Sequence, residues 1–301
     1  MKVVTPAQPG LMNIGEEAKP PFVILPDPSK VFLARATRLE TLASGHPLEG
    51  YLRLVGQICR AQSDILSTLP PAEIPVTGAQ HPGMPRLQFD TVAIDAIAIE
   101  TLVNLVEALN HIDAPAAFKL VVQSISAMPP DVRHTLLSSA LTRRPLGDDV
   151  ASEAVASAAL QVHFARLAAN LDAGKIEPVA DGVCPVCASP PVASAVVSWP
   201  QANNTRFCTC SLCATQWHVV RLKCVSCGST GGMSYPHIEG HTDGLRAETC
   251  DGCKSYVKIV YQVQDPTLEP FADDIASLDL DLVLKNEGWK RGGRNPFLLG
   301  Y

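Results

Sequence analysis

A chain of 301 residues, 47% hydrophobic and 18% charged, is long enough for one large or two ordinary domains with a substantial core, and its composition is globular. No stretch approaches the run of about 18 apolar residues that a membrane-crossing helix needs, so no membrane insertion is expected. A net charge of −6 argues against nucleic acid as the main partner.

Residues 1–28 are proline-rich and contain no apolar run that would serve as a signal-peptide core. They read as a flexible leader on a cytoplasmic protein. Helical spacing starts near Ser29 and runs through Phe32, Ala36 and Leu39. A second helix is predicted after Pro47, with Leu52, Val55, Ile58, Cys59, Gln62 and Ile65 on one face, ending at Pro70 and Pro71. The stretch to Arg86 reads as a loop. From Asp90 through Leu109 the pattern is apolar nearly all round, which predicts a helix central to the core. Further helices are predicted around 115–127, 130–142 and 148–171, broken by Pro129, Pro130 and Pro145. The first half is therefore all helical.

Beyond the Gly174, Pro178 and Gly182 boundary the pattern changes. Val192–Trp199, Gln216–Leu222 and Ser255–Val263 are short β-branched or aromatic runs, read as strands of small β-ribbons. A helix is predicted after Asp265, through Phe271, Ile275 and Leu282, with its acidic residues on a solvated face. The apolar tail Gly288–Tyr301 is expected to dock.

The fold class expected is α+β and multidomain: an all-α N-terminal domain, two tandem rubredoxin-like (zinc-ribbon-like) β units, and a C-terminal helix. The boundaries read as leader 1–28, helical domain 29–177, first unit 178–222, second unit 223–264, and helix with docked tail 265–301.

The β units carry the chemistry. Cys184/Cys187 and Cys210/Cys213 are repeated by Cys224/Cys227 and Cys250/Cys253 with a displacement of 40 residues. A two-residue gap lets two thiolates converge on one ion from a tight knuckle, and a second knuckle completes a tetrahedron. In a reducing compartment such pairs hold metal rather than form disulfides. Sequential pairing explains the period, which extends to Ser189/Ser229, Arg206/Arg246 and Thr209/Thr249. Nested or interleaved pairing leaves it unexplained. Each short half should draw on metal binding for folding, a contribution of about 10–16 kcal/mol for structural zinc in finger peptides. On this reading Cys184→Ser releases one equivalent of metal and leaves the second half loaded.

Cys208 is an alternative ligand to Cys210, but its counterpart in the second half is Glu248, so the repeat assigns Cys210. Cys59 reads as a core thiol, and His218, His237 and His241 as surface or capping residues. Four thiolates close each site, leaving no open position for Lewis-acid catalysis, and no nucleophile or phosphate-loop motif is present, so no catalytic residue is assigned. Spacing does not separate zinc, which is redox-silent, from iron, which cycles between two oxidation states.

Several segments together resemble the FdhE-type accessory proteins of formate dehydrogenase. These are Phe32-Leu-Ala-Arg-Ala-Thr-Arg-Leu, His46-Pro-Leu with Tyr51-Leu-Arg and Ala61-Gln62, Cys184-Pro-Val-Cys-Ala-Ser-Pro-Pro, Leu222-Lys-Cys-Val-Ser-Cys-Gly, Leu278-Asp-Leu-Asp-Leu and Asn295-Pro-Phe-Leu-Leu. The resemblance implies a cytoplasmic, non-enzymatic maturation factor that binds the catalytic subunit of respiratory formate dehydrogenase before its export. It also implies two mononuclear ions in the eight paired cysteines, iron rather than zinc. Alternatives are an iron-dependent electron-transfer factor acting on that enzyme's active site, and a zinc-ribbon nucleic-acid binder. In two respects the first half departs from the repeat: Ala188 stands where the second half has Gly228, and Cys208 is extra.

Overall fold

The computed structural model describes residues 20–70, 72–73, 83–87, 94–142, 149–199, 202–238 and 244–298. Its first part is helical: α1 (Pro28–Ala43), α2 (Glu49–Ile65), α3 (Ala96–Asn110), α4 (Ala116–Ala127), α5 (Pro130–Thr142) and α6 (Val150–Ala168). Asp27, Asp95 and Asp149 cap α1, α3 and α6, each accepting a backbone N–H of the first turn. For α2 the ring Nδ1 of His46 accepts the N–H of Leu48 at 3.0 Å, one residue ahead of the helix. The predicted start of α3 at Asp90 lies outside the described residues, and the helix itself begins at Ala96, where Asp95 supplies the cap.

The centre of the bundle is α6 rather than α3, since every residue from Val155 to Ala168 is buried. Two polar residues on it have different roles. Gln161 takes part in a hydrogen-bond chain: Gln62 Nε2 donates to Gln161 Oε1 (3.1 Å) and to the Ala158 carbonyl (2.9 Å). His163, 1% exposed, has both ring nitrogens without a hydrogen-bond partner, and burial holds its pKa below the usual imidazole value, with Asp95 opposing and Arg166 assisting. Folding therefore excludes a proton that the unfolded chain accepts. Stability is expected to fall as pH drops below about 6.5, by up to about 1.4 kcal/mol per pH unit. Urea titrations at several pH values should show His163→Leu flattening that part of the profile.

Among the described residues there are eight strands, all but the first of them in the second part: β1 (Val23–Ile24), β2 (Pro191–Trp199), β3 (Ala202–Cys210), β4 (Gln216–His218), β5 (Met233–Ser234), β6 (Leu245–Cys250), β7 (Ser255–Tyr261) and β8 (Lys290–Arg291). Instead of separate ribbons they form one sheet of order β1-β4-β3-β2-β7-β6-β5, with β8 also on β7. The join is parallel, Ser194 to Val196 of β2 against Ile259 to Tyr261 of β7. Val23–Ile24, inside the stretch expected to be a leader, add an edge strand to β4; residues 1–19 lie outside the described residues. The run Gln216–Leu222 is a strand only to His218, after which Val220 and Leu222 are exposed.

The C-terminal helix is two helices, α7 (Pro270–Ala276) and α8 (Leu278–Asn286). Of the acidic residues of these two helices only Asp279 is exposed, against the expectation of a solvated face. Asp273, Asp274 and Asp281 are 3%, 1% and 2% exposed and each is paired. Asp273 binds the Arg38 guanidinium of α1 through both oxygens, at 2.7 and 2.9 Å. Asp274 and Asp281 share Arg291 and Lys258, while Tyr256 donates to Asp281 at 2.6 Å. The tail docks through Leu298: Asn295 Nδ2 donates to Asp274 Oδ2 (3.0 Å), and the Tyr51 hydroxyl of α2 donates to the Phe297 carbonyl. One continuous apolar core spans the helices and the cysteines of the first knuckle pair, and a smaller cluster packs α8 onto the far end of the sheet through Leu245, Val260, Leu280 and Leu284.

Candidate metal centres

Each knuckle is built the same way, by local backbone geometry. The residue after the second cysteine is left-handed in all four: Ala188 (φ 62°), Ala214 (58°), Gly228 (74°) and Lys254 (53°). The N–H of that residue donates back to the first cysteine's carbonyl, as in Ala188 N to Cys184 O (2.9 Å), Gly228 N to Cys224 O (3.0 Å) and Lys254 N to Cys250 O (2.8 Å), and the reversal then returns the next carbonyl to accept the first cysteine's N–H, as in Cys184 N to Ser189 O (2.8 Å) and Cys224 N to Ser229 O (2.7 Å). Ala188 thus adopts the same conformation as Gly228 of the repeat and pays for its Cβ in strain. Ala188→Gly is expected to stabilise the protein by about 1 kcal/mol, measurable as a rise in Tm. Gly228→Ala should do the reverse, because a Cβ there would lie 2.4 Å from Asp181 Oδ2, which pairs with Lys223.

The sulfurs converge in two groups, Cys184/Cys187/Cys210/Cys213 and Cys224/Cys227/Cys250/Cys253, each within 4.8 Å of one another. Across the first, Cys184 to Cys213 is 3.7 Å and Cys187 to Cys210 is 3.4 Å; across the second, Cys224 to Cys253 and Cys227 to Cys250 are both 3.8 Å. A tetrahedron with metal–sulfur bonds of about 2.3 Å has edges of about 3.8 Å, so the donor set fits one ion in each cage. Val186, Leu212 and Cys213 aim backbone N–H groups at cage sulfurs at 3.3–3.4 Å, which favours thiolate.

Electrostatics within the thiol cages are uneven. Burial pushes Cys184 and Cys213 well above the ordinary thiol range. Cys187 goes well below it because, against its own burial, Cys184, Cys210, Cys213 and the Ser189 backbone all hydrogen-bond to its sulfur. In the second cage Cys253 falls to about 7 in the same way: burial is outweighed by Ser255, whose hydroxyl lies 2.9 Å away, with Cys227 and Cys224 adding to the effect. An ion entering either cage displaces the remaining protons.

Cys208 stands outside both groups. It is 0% exposed on β3 opposite Trp217, and burial pushes its thiol up to about 12. Cys59 is a buried core thiol, likewise at about 12 through burial. His218 is half-buried, edge-on to Phe207, and away from both cages; His241 lies outside the described residues.

Residues around the cages account for features that composition concealed. Gln161 Nε2 donates to the Ser211 carbonyl at 2.8 Å, so the chain from Gln62 ends on a knuckle of the first cage. Leu87 N donates to the Val186 carbonyl at 2.7 Å on the other knuckle. The units are also linked by charge: Arg206 Nη2 lies 2.7 Å from Glu248 Oε2 with both side chains buried, an ion contact whose angle falls short of a hydrogen bond. Burial raises the Glu248 pKa, and Arg206 opposes the rise. Strands β3 and β6, which carry this pair, escaped prediction because Arg, Glu, Asn and Thr mask their alternation. The repeated Arg206/Arg246 and Thr209/Thr249 were the available signal.

Comparison with known proteins covers nearly the whole chain. Three family models match in succession: "FdhE, N-terminal" over residues 20–181, "FdhE, central domain" over 183–221 and "FdhE, C-terminal domain" over 222–298. A "Protein FdhE homolog" from Rhizobium meliloti is 38% identical over 99% of both chains. "Protein FdhE" from Escherichia coli K12 is 33% identical over 92% of this chain and 91% of its own. The crystal structure of the FdhE protein from Pseudomonas aeruginosa superposes with a TM-score of 0.83 at 31% identity, covering 93% of this chain and 99% of that one.

Proposed function

Because the chain belongs to the FdhE family, we propose that it is a non-catalytic accessory protein for the maturation or activation of respiratory formate dehydrogenase, binding that enzyme's catalytic subunit in the cytoplasm before export. The carrying observation is the pair of four-cysteine cages, each with a full set of four sulfur ligands and built into a sheet that is fastened to a helical bundle. Cys184, Cys187, Cys210 and Cys213 hold one ion, and Cys224, Cys227, Cys250 and Cys253 the other, with iron rather than zinc as the resident metal. Bound there, the metal supplies cross-linking of the knuckles and, as iron, a one-electron capacity. The protein's own residues do the rest: the left-handed knuckle residues set the sulfur positions, and α6 and Leu87 brace the first cage. Among the described residues no helix is long and apolar enough to cross a membrane, in keeping with this reading.

Affinity purification of the tagged chain from cells producing the catalytic subunit should recover that subunit. Its repeated absence from the eluate would overturn the proposal. An electron-transfer role is the second reading, supported by the exposure of Cys227 at the edge of the second cage. Elemental analysis of anaerobically purified protein decides it, since stoichiometric zinc without visible absorbance ends that reading.

A further inference from the structure

The two cages have the same ligands, spacing and knuckle conformation, yet they sit in different surroundings. In the first, Cys184, Cys187, Cys210 and Cys213 are all 0% exposed, covered by α6 and by the segment ending at Leu87. The second is covered on one side only. Cys224 and Cys250 face inward, at 4% and 0% exposure. There the backbone closes in: a Cβ on Gly182 would come within 3.3 Å of the Ser226 carbonyl, and one on Gly292 within 2.4 Å of Ser226 Oγ. The second cysteine of each knuckle turns the other way. Cys227 is exposed, Cys253 is partly exposed, and the neighbouring Asp251 and Gly252 are exposed as well.

We propose that the second cage is an exchangeable site for a thiophilic metal cation, with Cys227 as the ligand that is replaced first, while the first cage holds its ion as a permanent part of the core. The inference rests on the reading that both cages bind metal. An ion leaves a four-thiolate cage only as its ligands are replaced one by one, and replacement needs access for the incoming donor. At Cys227 that access exists in the folded state. A competing thiol forms its bond to the metal as the Cys227 sulfur lets go, and the proton released by the incoming thiol passes to Cys227, with no change of oxidation state. At the first cage the same exchange requires opening of the packing between α6 and the sheet, a sub-global unfolding event. The first cage is thus an internal control, differing in its covering and not in its ligands.

The full chain, loaded with two equivalents of Zn²⁺, should be mixed with excess chromophoric chelator, 4-(2-pyridylazo)resorcinol. One equivalent is expected to leave at least about tenfold faster than the other, because only the slow one waits for core opening. Iodoacetamide labelling of the same loaded protein, read by mass spectrometry, should modify Cys227 before any cysteine of the first cage. In Cys227→Ser the fast equivalent should be lost or faster still, with the slow one unchanged. Release of both equivalents at one rate, or labelling of Cys227 no sooner than Cys187, overturns the inference without any variant having to fold. Uptake of fewer than two equivalents overturns instead the metal-binding reading beneath it.

Discussion

Cys187→Ser is expected to damage the whole protein, whereas Cys227→Ser, at the equivalent position of the repeat, is expected to spare the helical bundle. The first cage shares its core with the helices: Cys184, Cys187, Cys210 and Cys213 belong to the same continuous cluster as Phe32, Leu102 and Phe164. Losing its ion forfeits a term of about 10 kcal/mol or more and leaves three sulfurs and a hydroxyl confined in an apolar site. A domain's entire margin is of about that size. Circular dichroism should therefore show Cys187→Ser melting far below the parent, with helical signal lost in the same transition. Cys227→Ser should keep the helical transition and one tightly held equivalent of metal. Equal melting of the two variants would contradict this. The sequence repeat alone led to a different expectation, that damage in the first half leaves the second intact. The parallel pairing of β2 with β7 and the buried Arg206–Glu248 contact argue that it does not.

Lys258→Met is expected to cost about 3–5 kcal/mol, as for a buried ion pair that loses one partner. The Lys258 ammonium is 2% exposed and donates to Asp281 Oδ2 (2.6 Å), to the Asp274 carbonyl (2.7 Å) and to the Ser277 carbonyl (2.8 Å). It closes the end of α7 and neutralises a carboxylate in one contact. Arg291 alone would then face Asp274 and Asp281, and the Asp274 and Ser277 carbonyls would each lose their shorter hydrogen bond, keeping Ser277 Oγ at 3.4 Å and Leu280 N at 3.1 Å. Thermal melts should show a Tm lower by about 10 °C. Lys258→Met combined with Asp281→Asn should cost less than the sum of the single changes, because the second removes the charge that the first orphaned. Strict additivity would show that the network does not act as a unit.

Much of this network was hidden from sequence reading, for a physical reason. Asp273, Asp274 and Asp281 look like the polar stripe of a surface helix, since a charge is ordinarily left in water. Only the arrival of Arg38 from α1, Lys258 from β7 and Arg291 from β8 makes their burial tolerable, and each of those partners sits on a different element, 10 to 235 residues away. Several of the segments that carried the family resemblance, those with Arg35, Tyr51, Asp281 and Asn295, converge here as well. Tyr51 meets Phe297, Asn295 meets Asp274, and Arg35 lies over the Phe271 ring at 4.2 Å. They fasten the helical part to the C-terminal end of the chain.

The sequence by itself determined what depends on neighbours a few residues apart. Helix starts near residues 29 and 148, the amphipathic face of α2, and the four knuckles with their sequential grouping all follow from spacing and repeat, because short loops close with few alternatives. Tertiary structure decided that the two units form one sheet, that α6 rather than α3 lies at the centre, and that of two identical cysteine sets one is sealed and the other opens to water. Those outcomes rest on which distant surfaces exclude solvent from one another, and burial of that kind has no signature in a local pattern.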